Sequence, residues 1–485
     1  MTETEIKQML AQGERLTLEC KKAKTELPKS VWESYSAFAN TIGGYILLGI
    51  DENRKETDVA KRFTIIGVDN IPKLISDLWN TINSNKVNRN ILLDSDVEVN
   101  TIDGKSIICI HVPQADWRMK PVFLNENPYK GSFKRNHEGD YHCTEMEVRA
   151  MIRDANEDGN DGGLLDAFTL DDIDTNTLHG YRNQFRILNA DHDWNDKDDK
   201  EFLRLLGGYT KNRQTGKEGL TVAGLMMFGT GLAIRERFGN FRMDYLDMSH
   251  LEGEERYRDR LTYDGRWENN LYQFFRIVMP KLTFDLPHPF HMEGYQRVDD
   301  TPQMKAVREG FTNSIIHSDL FLDSGILRIE KHDDCLCLRN PGNLKLPIEN
   351  IYEGGVSKAR NPRIQNMLRM IGYGENIGSG FPKIISAWQK AGWGKPELID
   401  KYELQEVELR LPIPNETGGQ TGSPKTIEKV FELIKDNPYI TRQELVDKIG
   451  IKASAIQKHI EKLKAQKRIE RVGSSTFGGH WEIKE

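Results

Sequence analysis

Acidic and basic side chains near the N-terminus have types and a spacing that suit phosphodiester chemistry. In the segment ERLTLECKKAK, Glu19 and Lys21 share one face of a predicted strand, because alternate strand residues point to opposite sides. Glu14 lies just upstream, and Asp51 follows the apolar strand YILLGI. Carboxylates bind Mg²⁺ or Mn²⁺, and such an ion activates water for attack on phosphate beside a charge-stabilising lysine. The spacing leaves two interpretations open: a reaction centre or a solvated strand face.

A second polar group is predicted on the segment VREGFTNSIIHSD. Glu309, Asn313 and His317 recur at every fourth position and therefore lie on one face of a helix. An asparagine carbonyl can bind Mg²⁺, a neighbouring glutamate can activate water, and later glycine turns can present backbone N–H groups to phosphate. The alternative is a polar surface or a capping network. The chain has no G-x-x-x-x-G-K-[ST] P-loop, which argues against a motor ATPase or helicase.

The clearest pattern lies near the C-terminus, in the segment YITRQELVDKIGIKASAIQKHIEKLKAQKRIERV. Thr441 and Glu444 form a capping box at the start of one helix, and apolar residues at helical spacing predict a second helix. A hairpin over 469–483 completes a winged helix-turn-helix. A winged helix can also serve in contacts with other proteins, and this interpretation stays open. The residues expected to contact a DNA groove or phosphates are Lys452, Ser454, Gln457, Lys458, Lys464, Lys467 and Arg471.

The composition fits a multidomain protein without a membrane span. The chain has 485 residues, of which 38% are hydrophobic and 29% charged, and its net charge is −7. Within this acidic protein the C-terminal segment is basic, which favours that segment as the nucleic-acid contact. Apolar runs reach strand length only, and the first residues lack a signal-peptide pattern. The 5 cysteines include no C-x-x-C pair, which predicts free thiols in a reducing cytoplasm.

Two stretches rich in small, polar or acidic residues predict linkers, RDANEDGNDGG at 153–163 and NETGGQTGSPK at 415–425. We therefore expect an α+β multidomain chain. It would contain an α/β unit over 1–152, a helical and α/β connecting domain over 164–300, a second α/β unit over 301–414 and a winged helix over 424–485. In the first unit, the pattern predicts a helix at 28–41 and strands at 45–50, 96–101 and 106–112.

The N-terminal unit resembles the Schlafen-type AlbA-like domain. The likeness lies in the spacing of Glu14, Glu19 and Lys21, in the block AFANTIGGYILLGID that ends at Asp51, and in KGSFKR at 130–135. In nuclease members of that family, three acidic residues form a metal-dependent site that cuts tRNA-like RNA; the matching residues are Glu14, Glu19 and Asp51. Other bacterial relatives are described as DNA-binding or regulatory. Cys20 departs from the usual Phe. The basic residues expected to contact nucleic acid are Lys130, Lys134 and Arg135.

The segment 302–412 resembles a divergent GHKL-type ATP-binding domain, which often follows the Schlafen-like domain in bacteria. The resemblance implies that Glu309 is a general base and that Asn313 is a Mg²⁺ ligand. Typical members read adenine with an Asp in a D-x-G-x-G turn, and this chain has Asn340 followed by Pro-Gly instead. ATP binding is therefore expected, with weak or absent hydrolysis. The turn residues expected at the nucleotide are Gly342, Gly378, Ser379 and Gly380.

Together these features predict a cytoplasmic protein that binds ATP and nucleic acid and acts in regulation or antiviral defence. Its Schlafen-like unit would cut RNA or single-stranded nucleic acid with Mg²⁺ or Mn²⁺. Two alternatives stay open. One is a non-catalytic DNA-binding transcriptional regulator, and the other is an ATP-sensing protein that oligomerises. No membrane contact is expected, and homo-oligomerisation is left open.

Overall fold

The computed structural model places the chain in two compact units, Met1–Ile413 and Pro414–Glu485, which are described separately. The structure describes residues 1–53, 55–251, 253–284, 286, 292–293, 296–297, 301–323, 325–374, 380–414, 430–435, 437–449, 453–466, 468–472 and 480–484. None of the helices within these ranges is long and apolar enough to cross a membrane.

The N-terminal domain alternates helices and strands. Its helices are α1 (Glu3–Gln12), α2 (Ser30–Asn40), α3 (Val59–Arg62), α4 (Ile71–Ile82), α5 (Pro128–Gly131) and α6 (Glu145–Asp154). Its strands are β1 (Leu18–Lys21), β2 (Gly44–Leu48), β3 (Ile50–Glu52), β4 (Phe63–Ile65), β5 (Val97–Ile102), β6 (Lys105–Val112), β7 (Phe133–Asn136) and β8 (Gly139–His142). The predicted helix at 28–41 and the predicted strands at 96–101 and 106–112 are observed with small shifts at their ends, whereas the predicted strand at 45–50 is divided at Gly49 into β2 and β3.

A 4-stranded sheet of order β1-β2-β6-β5 supports this domain. β1 and β2 are parallel, and the other neighbouring strands are antiparallel. Ile46 packs into the core shared with α2, whereas Leu47 packs into the core shared with α1. The alternation of strand residues thus gives the sheet two buried faces, each covered by a helix.

The end of α2 is fixed by a buried asparagine. Asn40 donates from Nδ2 to the carbonyl oxygens of Val122 (2.8 Å) and Phe133 (3.0 Å), and its Oδ1 accepts a hydrogen bond from the backbone N–H of Val122 (2.8 Å). Gly43, with a φ of +79°, then turns the chain toward β2, a conformation that glycine adopts without steric cost. Asn40 therefore ties α2 to the segment that leads into β7.

The rest of the first unit adds helices and a large sheet. The helices are α7 (Thr175–Leu188), α8 (Asp199–Leu206), α9 (Val222–Phe228), α10 (Gly231–Arg237), α11 (Leu271–Thr283), α12 (Pro302–Ile316), α13 (Ile348–Glu353), α14 (Pro362–Met370) and α15 (Gly380–Ala391). The strands are β9 (Leu164–Leu165), β10 (Tyr209–Lys211), β11 (Glu218–Thr221), β12 (Arg242–Asp247), β13 (Asp259–Leu261), β14 (Met292–Glu293), β15 (Gln296–Arg297), β16 (Ile326–Lys331), β17 (Cys335–Pro341), β18 (Glu397–Lys401) and β19 (Glu406–Pro412).

The large sheet has 6 strands in the order β13-β12-β16-β17-β19-β18. β12 pairs in parallel with β16, and the other neighbouring strands are antiparallel. α12 lies against β17 and α15. One apolar core runs from α7 to β19, so the segments before and after residue 300 share a single interior.

The stretch 153–163, which the composition predicts to be a linker, is part of the packed structure. α6 extends to Asp154, and Asp161 is fully buried, with Oδ2 accepting a hydrogen bond from the backbone N–H of Ile364 at 2.8 Å. A Cβ at Gly159 would lie 2.2 Å from the ring of Pro362. The prediction is wrong because Asp161 anchors neighbouring backbone and Gly159 packs against Pro362, although Glu157 and Asp158 remain in solvent. The second predicted linker, at 415–425, lies outside the described residues.

The second unit contains the predicted winged helix-turn-helix elements. They are α16 (Arg442–Ile449), α17 (Ala453–Ala465) and the antiparallel strands β20 (Ile469–Val472) and β21 (His480–Ile483). The capping box is confirmed, since Thr441 N–H donates to Glu444 Oε2 at 2.7 Å and Glu444 N–H donates to Thr441 Oγ1 at 3.2 Å. The core contains Leu445, Ile456 and Trp481.

Candidate functional site

Glu19 and Lys21 lie side by side in the N-terminal domain, as strand alternation predicts. Lys21 Nζ is 2.6 Å from Glu19 Oε1, and Arg135 Nη1 is 2.6 Å from Glu19 Oε2. The same guanidinium nitrogen is 2.8 Å from Asp140 Oδ1. Glu19 is only 7% exposed and Arg135 only 2%. The group is therefore a buried charge network and not a solvated strand face.

Glu14 joins this network from the turn before β1. Its Oε1 accepts a hydrogen bond from the backbone N–H of Cys20 at 2.8 Å, and the residue is 8% exposed. Burial and, to a smaller extent, the negative charge of Glu19 raise the pKa of Glu14 to about 7. A carboxyl group with this pKa can take up and release a proton near neutral pH, which is the property required of a general acid or base.

Asp51, the third predicted acid, belongs to a different ion pair. Its Oδ2 is 3.2 Å from Lys22 Nζ, and both side chains are well exposed. Gly49, with a φ of +96°, separates β2 from β3, so the alternation of faces does not continue to Asp51. Glu52 is instead an acid close enough to raise the pKa of Glu14. In the part of the chain that the structure describes, no group of three or more His, Cys, Asp or Glu side chains could hold a metal ion.

The basic residues predicted to contact nucleic acid in this domain have different surroundings. Lys130 is exposed, whereas Lys134 Nζ lies 2.5 Å from Glu147 Oε1 and is partly buried. Arg135 is buried, which corrects the expectation that it lies on a binding surface. The reason is strand alternation in β7, where Phe133 and Arg135 both point inward. Arg135 is a structural cation that holds β7 against β1.

A cavity, here called the α12 cavity, lies between α12, α15 and the large sheet. Glu309, Asn313 and His317 line it, which confirms that they share one helical face. Asn313 Nδ2 donates to Glu309 Oε1 at 3.2 Å. Gly380, the first residue of α15, closes on this pair, since a Cβ there would lie 2.1 Å from Glu309 Oε1. The fold thus brings together two of the segments that the sequence analysis selected.

The predicted turn residues do not all reach this cavity. Gly380 borders it, and Asn340 lines it from β17. Gly342 has a φ of +97° and lines a neighbouring cavity instead, so it is not a wall residue of the α12 cavity. Gly378 and Ser379 lie outside the described residues.

Three cations that the sequence analysis did not select also line the α12 cavity: Lys345, Lys358 and Arg360. Burial lowers the pKa of His317 in the same wall to about 4, so its imidazole is neutral at neutral pH. Cationic side chains beside amide and carboxylate groups suit the charge of a phosphorylated ligand. The available signal was the basic residues near the Asn-Pro-Gly turn and in SKARNP, but neither spacing nor periodicity shows that they converge.

The winged helix presents part of its predicted surface. Lys458 is exposed, and Gln457 Nε2 donates to Glu461 Oε1 at 2.8 Å. Arg471 belongs to β20, and its guanidinium lies 4.8 Å from the centre of a ring of Trp481 on the paired strand β21. The predicted contacts that lie outside the described residues are Lys452, Lys467 and the side chain of Ser454.

Four segments of the chain match models of protein families. Residues 14–144 match the family described as "Schlafen, AlbA_2", and residues 149–244 match a "Domain of unknown function (DUF8451)". Residues 326–409 match "Putative ATP-dependent DNA helicase recG C-terminal", and residues 424–470 match "Winged helix-turn-helix DNA-binding". The predicted combination of a Schlafen AlbA-like domain, an ATPase-like domain and a winged helix is confirmed. The comparison with curated proteins gives no match.

Two solved structures are similar to this chain. The DIP2311 protein from Corynebacterium diphtheriae is 14% identical, with a TM-score of 0.40, and the match covers 97% of this chain and 95% of that chain. The N-terminal domain of a "Putative ATP-dependent DNA Helicase RecG-related Protein" from Nitrosomonas europaea is 25% identical, with a TM-score of 0.23. That match covers 30% of this chain and 94% of the other.

Proposed function

We propose that this chain, which joins a Schlafen AlbA-like domain, an ATPase-like domain and a winged helix, is a nucleic-acid-binding regulator controlled by ATP. The observation that carries the proposal is the α12 cavity, where Glu309, Asn313 and Gly380 meet beside three cations. The winged helix, with Lys458 exposed on α17, supplies one nucleic-acid surface, and the Schlafen-like domain supplies another. Control of transcription and defence against foreign nucleic acid are the settings that such a protein would serve.

The α12 cavity offers a group for each part of a magnesium nucleotide. The carbonyl oxygen of Asn313 is a hard ligand that suits Mg²⁺, and the bound ion would neutralise phosphate charge. Lys345 and Lys358 supply further positive charge, and Arg360 lines the same cavity but is paired with Asp154. Asn340 offers both a donor and an acceptor to the base. These features support nucleotide binding more directly than hydrolysis.

The test is the affinity of the full chain for ATP, measured by calorimetry with Mg²⁺. Asn313→Ala should weaken binding roughly 10-fold or more, because it removes the proposed Mg²⁺ ligand, which also hydrogen-bonds to Glu309. Asn240→Ala, at an exposed position that does not line the cavity, is the matched control. Equal affinity in the two variants would refute the site. A gel shift of duplex DNA with and without ATP then shows whether the nucleotide controls binding.

Phosphodiester cleavage in the Schlafen-like domain is a second candidate, and one observation favours it. Glu14, whose pKa is raised to about 7, lies beside the Glu19–Lys21 pair. In this proposal Glu14 moves a proton near neutral pH and Lys21 stabilises negative charge on a phosphate oxygen. The described carboxylates do not fit a three-ligand metal site, so no step through Mg²⁺ or Mn²⁺ is derived.

A cleavage assay tests this second candidate. RNA, single-stranded DNA and duplex DNA are incubated with the wild-type chain, with Glu14→Gln and with Glu26→Gln, in Mn²⁺ or in EDTA. Glu26 is an exposed glutamate outside the charge network and serves as the control. Cleavage that is lost in Glu14→Gln and kept in Glu26→Gln supports the nuclease. ATP-dependent DNA binding without cleavage by any of the three proteins supports the regulator alone.

A further inference from the structure

Lys345 lies in the wall between two cavities of the first unit. One is the α12 cavity, and the other, here called the interdomain cavity, is lined on one side by the N-terminal domain with Trp117, Lys120 and Asp154. The wall that both cavities share consists of Asn343, Leu344, Lys345 and Arg360. A side chain in this wall can therefore contact a ligand on one side and the N-terminal domain on the other.

The Lys345 ammonium is held differently from its cationic neighbours. Its Nζ lies 3.9 Å from the centre of the Trp117 ring, and it has no carboxylate or carbonyl partner among the described residues. By contrast, Arg360 Nη2 is 2.7 Å from Asp154 Oδ2, and Lys120 Nζ is 2.8 Å from the carbonyl oxygen of Asn40. Among the described residues, the close contact of this half-buried cation is with an aromatic face, and the carboxylates of Asp154 and Asp116 act on it only through their charge.

Such a cation attracts an anion. Burial lowers the pKa of Lys345 to about 8, which means that its charged form is poorly solvated and gains from an oxygen ligand. The anion that the α12 cavity suits best is a phosphate group, because the exposed cation of Lys358 lines the same space, whereas Arg360 is already paired with Asp154. The first backbone N–H groups of the 12-residue helix α15 also begin at this cavity, at Gly380.

We propose that Lys345 binds a phosphate oxygen of the nucleotide in the α12 cavity, and that its departure from Trp117 transmits nucleotide occupancy to the N-terminal domain. This inference rests on the proposed function, since it needs a nucleotide in that cavity. Beyond the proposed function, it identifies Lys345 as the residue that contacts the phosphates and the Lys345–Trp117 contact as the one that changes when they bind. A base or ribose without phosphate would leave Lys345 on Trp117.

The surroundings of Trp117 explain how the N-terminal domain would respond. Trp117 is 6% exposed, and three residues later Lys120 donates to the carbonyl oxygen of Asn40 at the end of α2. Asn40 in turn donates a hydrogen bond to the carbonyl oxygen of Phe133, the first residue of β7. β7 carries the arginine that binds Glu19. A shift at Trp117 therefore acts on a packed chain of contacts that ends at the buried charge network.

The experiment compares ATP, ADP and adenosine as ligands of the full chain. Lys345→Met should weaken ATP binding roughly 10-fold or more and leave adenosine binding unchanged, because only the phosphate contact is lost. Lys395→Met is the matched control, since Lys395 also rests on an aromatic ring, that of Tyr352 (5.6 Å), but does not line the cavity. Lys345→Arg keeps the charge and should retain most of the ATP affinity.

Tryptophan emission gives the second readout. ATP should change the emission of the wild-type chain, and the change should disappear in Trp117→Phe, which separates Trp117 from the other tryptophans among the 8 in the chain. It should also disappear in Lys345→Met at saturating ATP. A thermal melt confirms that each variant is folded, and Lys345→Gln, which also removes the charge, replaces Lys345→Met in the comparison if the latter does not fold.

The outcomes separate this inference from the proposed function. A wild-type chain that binds neither ATP, ADP nor adenosine overturns the proposed function and this inference with it. Wild-type ATP binding that Lys345→Met retains in full overturns this inference and leaves the proposed function standing. Loss of affinity in Lys345→Met, with an ATP-dependent emission change that persists in Trp117→Phe, overturns the transmission through Trp117.

Discussion

Replacing Glu14 with glutamine should change how the stability of the protein depends on pH. In the wild-type chain, burial and the charge of Glu19 raise the pKa of Glu14 to about 7 from its ordinary value of 4.5. The folded state therefore keeps a proton that the unfolded state releases. The corresponding stability is fully present below pH 4.5 and is lost as the pH rises through about 7. The glutamine of the Glu14→Gln variant cannot ionise, so the variant does not lose this stability as the pH rises.

The size of the effect follows from the pKa difference. From 4.5 to about 7, at about 1.4 kcal/mol for each pH unit, the free energy of unfolding of the wild-type chain falls by roughly 3 kcal/mol relative to the variant. Glutamine retains an oxygen that can accept the hydrogen bond from the backbone N–H of Cys20. Any other effect of the substitution on stability is the same at every pH. The test is therefore how the difference in unfolding free energy between the two proteins changes with pH.

The assay is urea unfolding of both proteins at several pH values between 4.5 and 8, followed by tryptophan emission. The difference in unfolding free energy between Glu14→Gln and wild type should grow in favour of the variant as the pH rises, and should level off above about pH 7. Glu26→Gln, at an exposed position, should give a curve parallel to that of the wild type. A parallel curve for Glu14→Gln would show that Glu14 is already ionised and would refute the argument.

Three further substitutions test other parts of the fold. Arg135→Met leaves Glu19 buried without one of its two cations and leaves Asp140 without its guanidinium partner, so thermal denaturation should show a loss of roughly 3–5 kcal/mol, whereas the exposed Lys130→Met should be nearly neutral. Thr441→Ala removes the capping box and should lower the stability of the second unit by about 1 kcal/mol, measured by circular dichroism. Lys458→Ala should weaken duplex binding equally for all sequences and reduce its salt slope by about one in gel shifts; a change confined to one sequence would contradict the phosphate role.

Local patterns in the sequence predicted the contacts that depend on local geometry. Strand alternation placed Glu19 beside Lys21, and helical spacing placed Glu309 beside Asn313. The capping box starting at Thr441 formed for the same reason. In each case the partners lie two to four residues apart, so the backbone conformation alone brings them together.

Contacts between distant segments were less predictable. Asp51 follows a strand that reads as continuous, yet Gly49 breaks it, and the sequence does not state which glycine turns the chain. Arg135 is typical of a surface cation by residue type, and only its encounter with Glu19, more than a hundred residues away, makes burial favourable. Lys345 belongs to no motif, and its role arises where two domains share a wall.

Two ion pairs of opposite polarity hold α6 beside the shared wall, and one of them includes Arg360 of the wall itself. Arg360 Nη2 lies 2.7 Å from Asp154 Oδ2, and Arg153 Nη2 lies 2.7 Å from Asp319 Oδ2. Each pair joins the end of α6 to a residue beside the interdomain cavity. Desolvation offsets much of the attraction between buried charges, but separating such partners is costly. The pairs therefore contribute less to net stability than to register, because they penalise any slide of α6 along the wall. Lys345, a half-buried cation that makes no ion pair within the part of the chain that the structure describes, can move within a wall that these pairs keep fixed.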